Sequence, residues 1–156
     1  VLASAVCSRG GKIIFARLFC DMLFGRLETL LNGFPRLLKS GQQHTFIEVD
    51  SLRYIYHPLE DYYIILLTNR SSNIISDMKT MSLCSAAVSQ ILKGKEQKEF
   101  SEDDCFQLIL SFDEISSRLG TSVINQEALN DVLMMESNEE AVQEAILQVK
   151  TANYNF

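Results

Sequence analysis

From Tyr62 to Leu67 every position of the chain is apolar or aromatic. A strand of that kind has no polar side to turn to water, so it belongs at the centre of a sheet covered by helices on both faces. Its neighbours are of a different kind. His44 to Asp50 and Ser51 to Tyr56 are mixed in polarity, with Leu52, Tyr54 and Tyr56 on one face and Arg53 and Ile55 on the other. Asp50-Ser51 and His57-Pro-Leu-Glu-Asp61 separate the three segments as turns. Residues Gln43 to Asn69 therefore predict three consecutive strands, and the rest of the chain is expected to cover them.

Upstream, Leu2 to Val6 and Ile13 to Ala16 flank Gly10-Gly11, a hairpin signal because glycine reaches positive φ without steric cost. A phosphate loop is excluded here, since Gly11-Lys12 lacks both the earlier glycine and the following Ser or Thr. Phe19, Leu23, Leu27, Leu30, Leu31 and Phe34 recur at helical spacing, which predicts a helix over Arg17 to Lys39. Pro35 should kink or end it, and Lys39-Ser-Gly41 should stop it. Leu18, Met22 and Phe24 fall off the stripe, either widening the buried face or leaving apolar surface for a partner. After the strands, Ser72 or Asn73 offers a helix cap, and Ile74, Ile75, Met78, Met81, Cys84, Val88, Ile91 and Leu92 form the next stripe.

Gly94 to Glu99 reads as a polar loop. Ser101 and Asp104 form a capping-box-like pair ahead of Cys105, Leu108, Ile109 and Phe112. Asp113-Glu114 reads as a solvated flank rather than an acid–base pair, because adjacent helical residues point apart. Gly120-Thr-Ser122 breaks that helix. Two shorter helical pieces follow: one capped by Asn125 with Leu129, Val132 and Leu133, the other capped by Ser137 with Val142, Ala145, Ile146 and Val149. Thr151 to Phe156 is expected to fray. The expected fold is α+β, a five-stranded antiparallel sheet with helices on both faces and a short C-terminal helical extension.

Hydrophobic residues make up 47% of the 156, enough for a core in one domain. Fourteen basic residues against 20 acidic give a net charge of −6, and no Lys/Arg cluster stands above that background, which argues against nucleic acid. Cys7, Cys20, Cys84 and Cys105 form no Cys-x-x-Cys pair, so reduced thiols in a cytosolic compartment are expected. Val1 to Val6 is too short for a secretory signal, and no apolar run reaches the ~20 residues of a membrane span. His44 and His57 have no second ligand at metal spacing, and no nucleophile elbow supports a triad such as His44, Asp50 and Ser51. No catalytic site, metal or cofactor is predicted. The candidate partner-binding residues are Met22, Phe24 and Arg26 on the first helix, with Tyr54 and Tyr56 on a strand, since Met, Arg and aromatic residues are enriched at interface cores.

Several stretches carry a resemblance. Gln43-His-Thr-Phe-Ile-Glu48, Arg53-Tyr-Ile-Tyr56 with Pro58, Thr68-Asn-Arg-Ser-Ser-Asn-Ile74, Ser82-Leu83, Phe112-Asp-Glu-Ile115 and Met135-Glu-Ser-Asn-Glu-Glu140 occur in one order, with Gly11-Lys12, Arg17, Phe19 and Phe34-Pro35. Together they resemble the delta-subunit family of coatomer, the COPI vesicle coat. The amino-terminal domain of that family has the longin (profilin-like) fold and is related to adaptor-complex medium chains. The resemblance implies a longin domain over 1–120 and a helical extension, or start of a linker, over 121–156. It further implies a non-catalytic part in Golgi-to-ER and intra-Golgi transport, cytoplasmic and peripheral on Golgi membranes and vesicles. The implied partner is the helical-solenoid trunk of the beta subunit of coatomer, with an indirect link to an Arf-family GTPase. Delta subunits continue to a mu-homology domain, so a chain ending at Phe156 is expected to be a fragment. The alternatives are a longin regulatory domain of a SNARE and a medium-chain domain of a clathrin-type adaptor.

Overall fold

The computed structural model describes residues 1–38, 45–93, 95, 99–117, 126–134 and 137–154. The first two strands are β1 (Ala3–Ser8) and β2 (Ile13–Leu18), followed by helix α1 (Phe24–Leu37). Then come β3 (Phe46–Val49), β4 (Leu52–Leu59) and β5 (Tyr62–Asn69). The remaining helices are α2 (Ile74–Leu92), α3 (Glu102–Ser117), α4 (Gln126–Met134) and α5 (Asn138–Tyr154). The strands form one antiparallel sheet in the order β2-β1-β5-β4-β3, which places β5 in the middle, as its unbroken apolar run requires.

Alternation along the strands divides the core in two. Val6, Phe15, Ile55, Ile64 and Leu66 point to the face covered by α2, α3 and α4, where they meet Cys84, Val88, Leu108, Phe112 and Leu129. Ala5, Cys7, Tyr54, Tyr56, Ile65 and Leu67 point to the other face and are covered by Leu27, Leu31 and Phe34 of α1. Helices therefore lie on both faces, and the α+β longin architecture expected from the sequence is the one found.

The connections are tight. Asp50 (φ 54) and Ser51 join β3 to β4, while Glu60 (φ 52) and Asp61 join β4 to β5, both two-residue hairpin loops with left-handed backbone. The turn expected over His57–Asp61 is thus shorter, because β4 continues through His57, Pro58 and Leu59. Pro58 is tolerated for a geometric reason. The Tyr56 N–H points outward to the Thr45 carbonyl at 3.1 Å, so the Pro58 nitrogen, two residues on, points the same way. Among the described residues the pairing of β3 reaches only as far as Ile55, so no described neighbour waits there for a donor.

The helix expected from Arg17 begins later. Arg17 and Leu18 pair with Ser4 and Ala3, so the β1 partner holds them in the sheet in spite of the helical spacing. Phe19 packs with the α2–α3 side, opposite the face on which Leu27 lies, so the two ends of the apparent stripe serve different cores. Pro35 sits inside the last turn of α1, which ends two residues later at Leu37. Downstream, Asn73 caps α2 by accepting the Ile75 N–H at 3.0 Å. Ser101 and Asp104 form the expected reciprocal cap: the Ser101 N–H donates to Asp104 Oδ2 at 2.7 Å, and the Asp104 N–H to Ser101 Oγ at 3.3 Å. Two stripes differ from expectation. Ile75 and Met78 of α2 face solvent, and Val142 and Ile146 of α5, also expected on a packed face, are exposed. The Glu140 N–H donates to Ser137 Oγ at 3.4 Å, and α5 stays helical to Tyr154 rather than fraying from Thr151. The Lys39-Ser-Gly41 stop, most of Gly94–Glu99, the break at Gly120-Thr-Ser122, the Asn125 cap and His44 lie outside the described residues.

Candidate partner-binding surface

The amino end of α1 is built as an exposed ledge. Leu23, the residue before the helix, is extended (φ −63, ψ 131) and its side chain offers no oxygen to the first-turn N–H groups. The helix closes instead on the Leu23 carbonyl, which accepts from the Arg26 N–H at 3.0 Å and the Leu27 N–H at 3.3 Å. Leu23 is 83% exposed and Phe24 58% exposed, with Arg26 in solvent beside them. Met22 is half-buried against the α1-side core. Of the residues expected to meet a partner, Phe24 and Arg26 are therefore free to do so, and Met22 is partly available.

Tyr54 and Tyr56 are placed otherwise. They are 3% and 9% exposed, under α1, and the surface role expected for their rings is corrected by this burial. The Phe34 ring stands 6.0 Å from Tyr54, 5.4 Å from Tyr56 and 5.9 Å from Tyr63, a cluster that seats the carboxyl half of the helix. Burial pushes both phenols above their usual range, with Asp50 adding to the effect at Tyr54 and Tyr63 at Tyr56. Leu23 was missed from the sequence because the α1 spacing assigns it to the buried stripe. Only the later helix start turns it outward.

Among the described residues, which leave out His44, the nucleophile and metal candidates do not gather. His57 is exposed on β4, and Asp50 and Ser51 make the β3–β4 turn. Cys105 is held above its ordinary thiol value first by burial and then by Asp104 and Glu102, which disfavours a thiolate. Asp113 takes the Arg17 guanidinium as a two-pronged pair, Nε to Oδ1 at 2.7 Å and the terminal nitrogen to Oδ2 at 2.9 Å. That contact ties β2 to α3 beside the Phe15–Phe112 ring pair at 5.4 Å. Among the described residues no group of three His, Cys, Asp or Glu could hold a metal ion, and no helix is long and apolar enough to cross a membrane.

No family model matches the chain. Among curated proteins it is 40% identical over 144 residues to coatomer subunit delta of Dictyostelium discoideum, covering 90% of this chain and 26% of that protein. It is 38% identical over 150 residues to coatomer subunit delta of Schizosaccharomyces pombe, covering 96% of this chain and 62% of the relative. To the probable coatomer subunit delta of Caenorhabditis elegans it is 36% identical, over 97% of this chain and 30% of the relative. The chain thus spans between about a quarter and three fifths of the relatives it matches. Among solved structures, a chain in a homology model of the full-length AP-3 complex in a stretched open conformation superposes with a TM-score of 0.58. That likeness covers 100% of this chain and 99% of the other at 11% identity, and it shows a shared fold alone. Over nearly its whole length, the chain is a homologue of the coatomer delta subunits.

Proposed function

We propose that this domain is a non-catalytic building piece of the COPI vesicle coat, which docks on a large coat subunit during Golgi-to-ER and intra-Golgi transport. The reading rests on one observation, the 35–40% identity to coatomer delta subunits across 90–97% of the chain. The partner is the helical-solenoid trunk of the beta subunit of coatomer. An Arf-family GTPase acts at one remove, bringing the assembled coat to the Golgi membrane. The docking residues are Phe24 and Arg26, with Met22 and the newly exposed Leu23. Tyr54 and Tyr56 contribute from below by holding α1 in place. Residues 1–120 act as the longin domain, and residues 121–156 as a helical extension or the start of a linker.

An exposed aromatic ring beside an arginine and an exposed leucine is the composition of an interface hot spot, and both Phe24 and Arg26 are exposed rather than packed. A pull-down of purified beta-subunit trunk by this domain tests it. Wild-type protein retains the trunk at micromolar concentration, while Phe24→Ala combined with Arg26→Glu releases it. Failure of the wild type to retain the trunk overturns the docking role. Equal retention by the double variant moves the contact to another surface.

A further inference from the structure

A second surface lies on the opposite side of the sheet from α1. Helices α2, α3 and α4 enclose an open groove of about 480 Å³, lined by Ile91, Gln107, Leu110, Asn130, Leu133 and Met134. Its floor is the core itself, since Leu129 is buried and Ile91 and Leu133 pack against the same cluster. Apolar side chains along the groove are open to solvent. Met134 is 70% exposed, and Phe106, one turn before Leu110 on the same side of α3, is 65% exposed. Contiguous apolar surface in a polar rim marks a contact site in a soluble protein.

Among the described residues, every charged side chain on the α3 and α4 walls of the groove is acidic. Asp131 lines it, and Glu127, four residues earlier on α4, shares its face. On α3, Asp103 lies three residues before Phe106 and four before Gln107, again on the groove side. Neither α3 nor α4 contains a Lys or Arg. The cations of α2 stand off: Lys79 is three turns before Gln90, roughly 16 Å along the axis, and Lys93 caps the carboxyl end. The adjoining helix α5 does not match, because it carries Glu139, Glu140 and Glu144 against Lys150 alone over Asn138–Lys150.

We propose that the α2–α3–α4 groove is a docking site for a basic amphipathic helix of a partner protein. The apolar stripe of that helix would seat between Leu110 and Met134, and its lysines or arginines would face Asp103, Glu127 and Asp131. Helix-in-groove recognition needs an apolar trough for anchors spaced at i, i+4 and i+7, and acidic flanks set its polarity and speed encounter. This surface is distinct from the α1 ledge, so a single chain could hold two partners at once.

The test is fluorescence anisotropy of a labelled Leu/Lys peptide with helical apolar spacing, compared with a Leu/Glu peptide of the same pattern. The protein should bind the first and not the second. Leu110→Ser with Met134→Ser, both changes at exposed positions, should weaken binding by about tenfold or more. Glu127→Lys with Asp131→Lys should reverse the preference between the two peptides. Equal binding of both peptides, no binding of the Leu/Lys peptide, or indifference to either variant pair overturns the proposal. So does sedimentation that finds a dimer broken by Leu110→Ser, because a second copy would then occupy the groove.

Discussion

Gly11 stands against Pro35: a β-carbon built on the glycine would fall 2.9 Å from Pro35 Cγ. The glycine turns the β1–β2 hairpin at φ +88, and the proline ring closes the last turn of α1. Two unrelated constraints therefore meet at one residue. The backbone needs a left-handed conformation, and the helix leaves no room for a side chain.

Gly11→Ala should cost more than either constraint alone. The left-handed backbone accounts for about 1–2 kcal/mol, and the rigid ring adds a clash that the hairpin relieves only by backing away from α1. Urea unfolding should show the loss in the midpoint with little change in slope. Adding Pro35→Ala should recover the steric share and leave the backbone share. A Gly11→Ala protein as stable as the wild type would mean that hairpin and helix do not touch in solution.

Phe34→Ala and Phe24→Ala should separate packing from docking within one helix. Phe34 is fully buried among Tyr54, Tyr56 and Tyr63, and its loss should cost ~3–5 kcal/mol through transfer and cavity terms. Phe24 is exposed, and its loss should stay within about 0.5 kcal/mol. The chain has no tryptophan, and three of its five tyrosines belong to the Phe34 cluster, so the tyrosine bands of near-ultraviolet circular dichroism report largely on it. Flattened tyrosine bands in Phe34→Ala and unchanged bands in Phe24→Ala are expected. A destabilised Phe24→Ala would mean that the ledge packs on something within the chain.

The same helix marks how far the sequence could be read. The central strand was legible because six consecutive apolar side chains have one solution in a sheet, and the caps at Asn73, Ser101 and Ser137 because their chemistry is local. The start of α1 was not legible. Arg17 and Phe19 fit a helical repeat equally well, and only the length of the β1–β2 pairing, which runs past Ala16 to Leu18, decides for strand. That error hid Leu23 within the stripe. The tyrosines of β4 show the complementary limit: alternation gives the face of Tyr54 and Tyr56 but not what covers it, and α1 covers it. The acidic groove lay in residues off the α3 stripe, Phe106 and Leu110, whose importance depends on where α4 docks.

Asp104 makes stability depend on acid. Lys95 and Ser101 hold its carboxyl down, to about 2 from an ordinary 3.8, against the opposing effect of burial. A depressed carboxylate stabilises the fold above the unfolded value and loses that contribution as the pH falls through the folded one. The window is therefore between about pH 4 and pH 2. Wild-type protein should lose stability across it, and Asp104→Asn should be less stable at neutral pH while losing less on acidification. Ser101→Ala removes one half of the cap and should cost ~1 kcal/mol at neutral pH. Parallel acid profiles for wild type and Asp104→Asn would assign the acid response to other carboxylates.

The four thiols should report on the two cores separately. Cys7 lies under α1 and burial pushes its thiol up to about 12, while Cys84 sits on the core-facing side of α2 and is pushed up further by the same cause. Both are closed to solvent, and thiolate is the reacting form, so each should react only when its helix lifts. Cys20 is half-exposed in the connection between β2 and α1, and Cys105 is half-buried with a raised value. A thiol reagent near neutral pH should therefore modify Cys20 first and Cys105 more slowly. Cys7 and Cys84 should follow at a rate set by opening rather than by reagent concentration. The Cys20→Ser protein should lose the fast phase alone. Rapid modification of Cys84 with Cys7 still protected would show that the α2–α3–α4 side opens independently of the α1 side, and a groove on an opening layer would take its helical partner by a different route from the rigid ledge opposite.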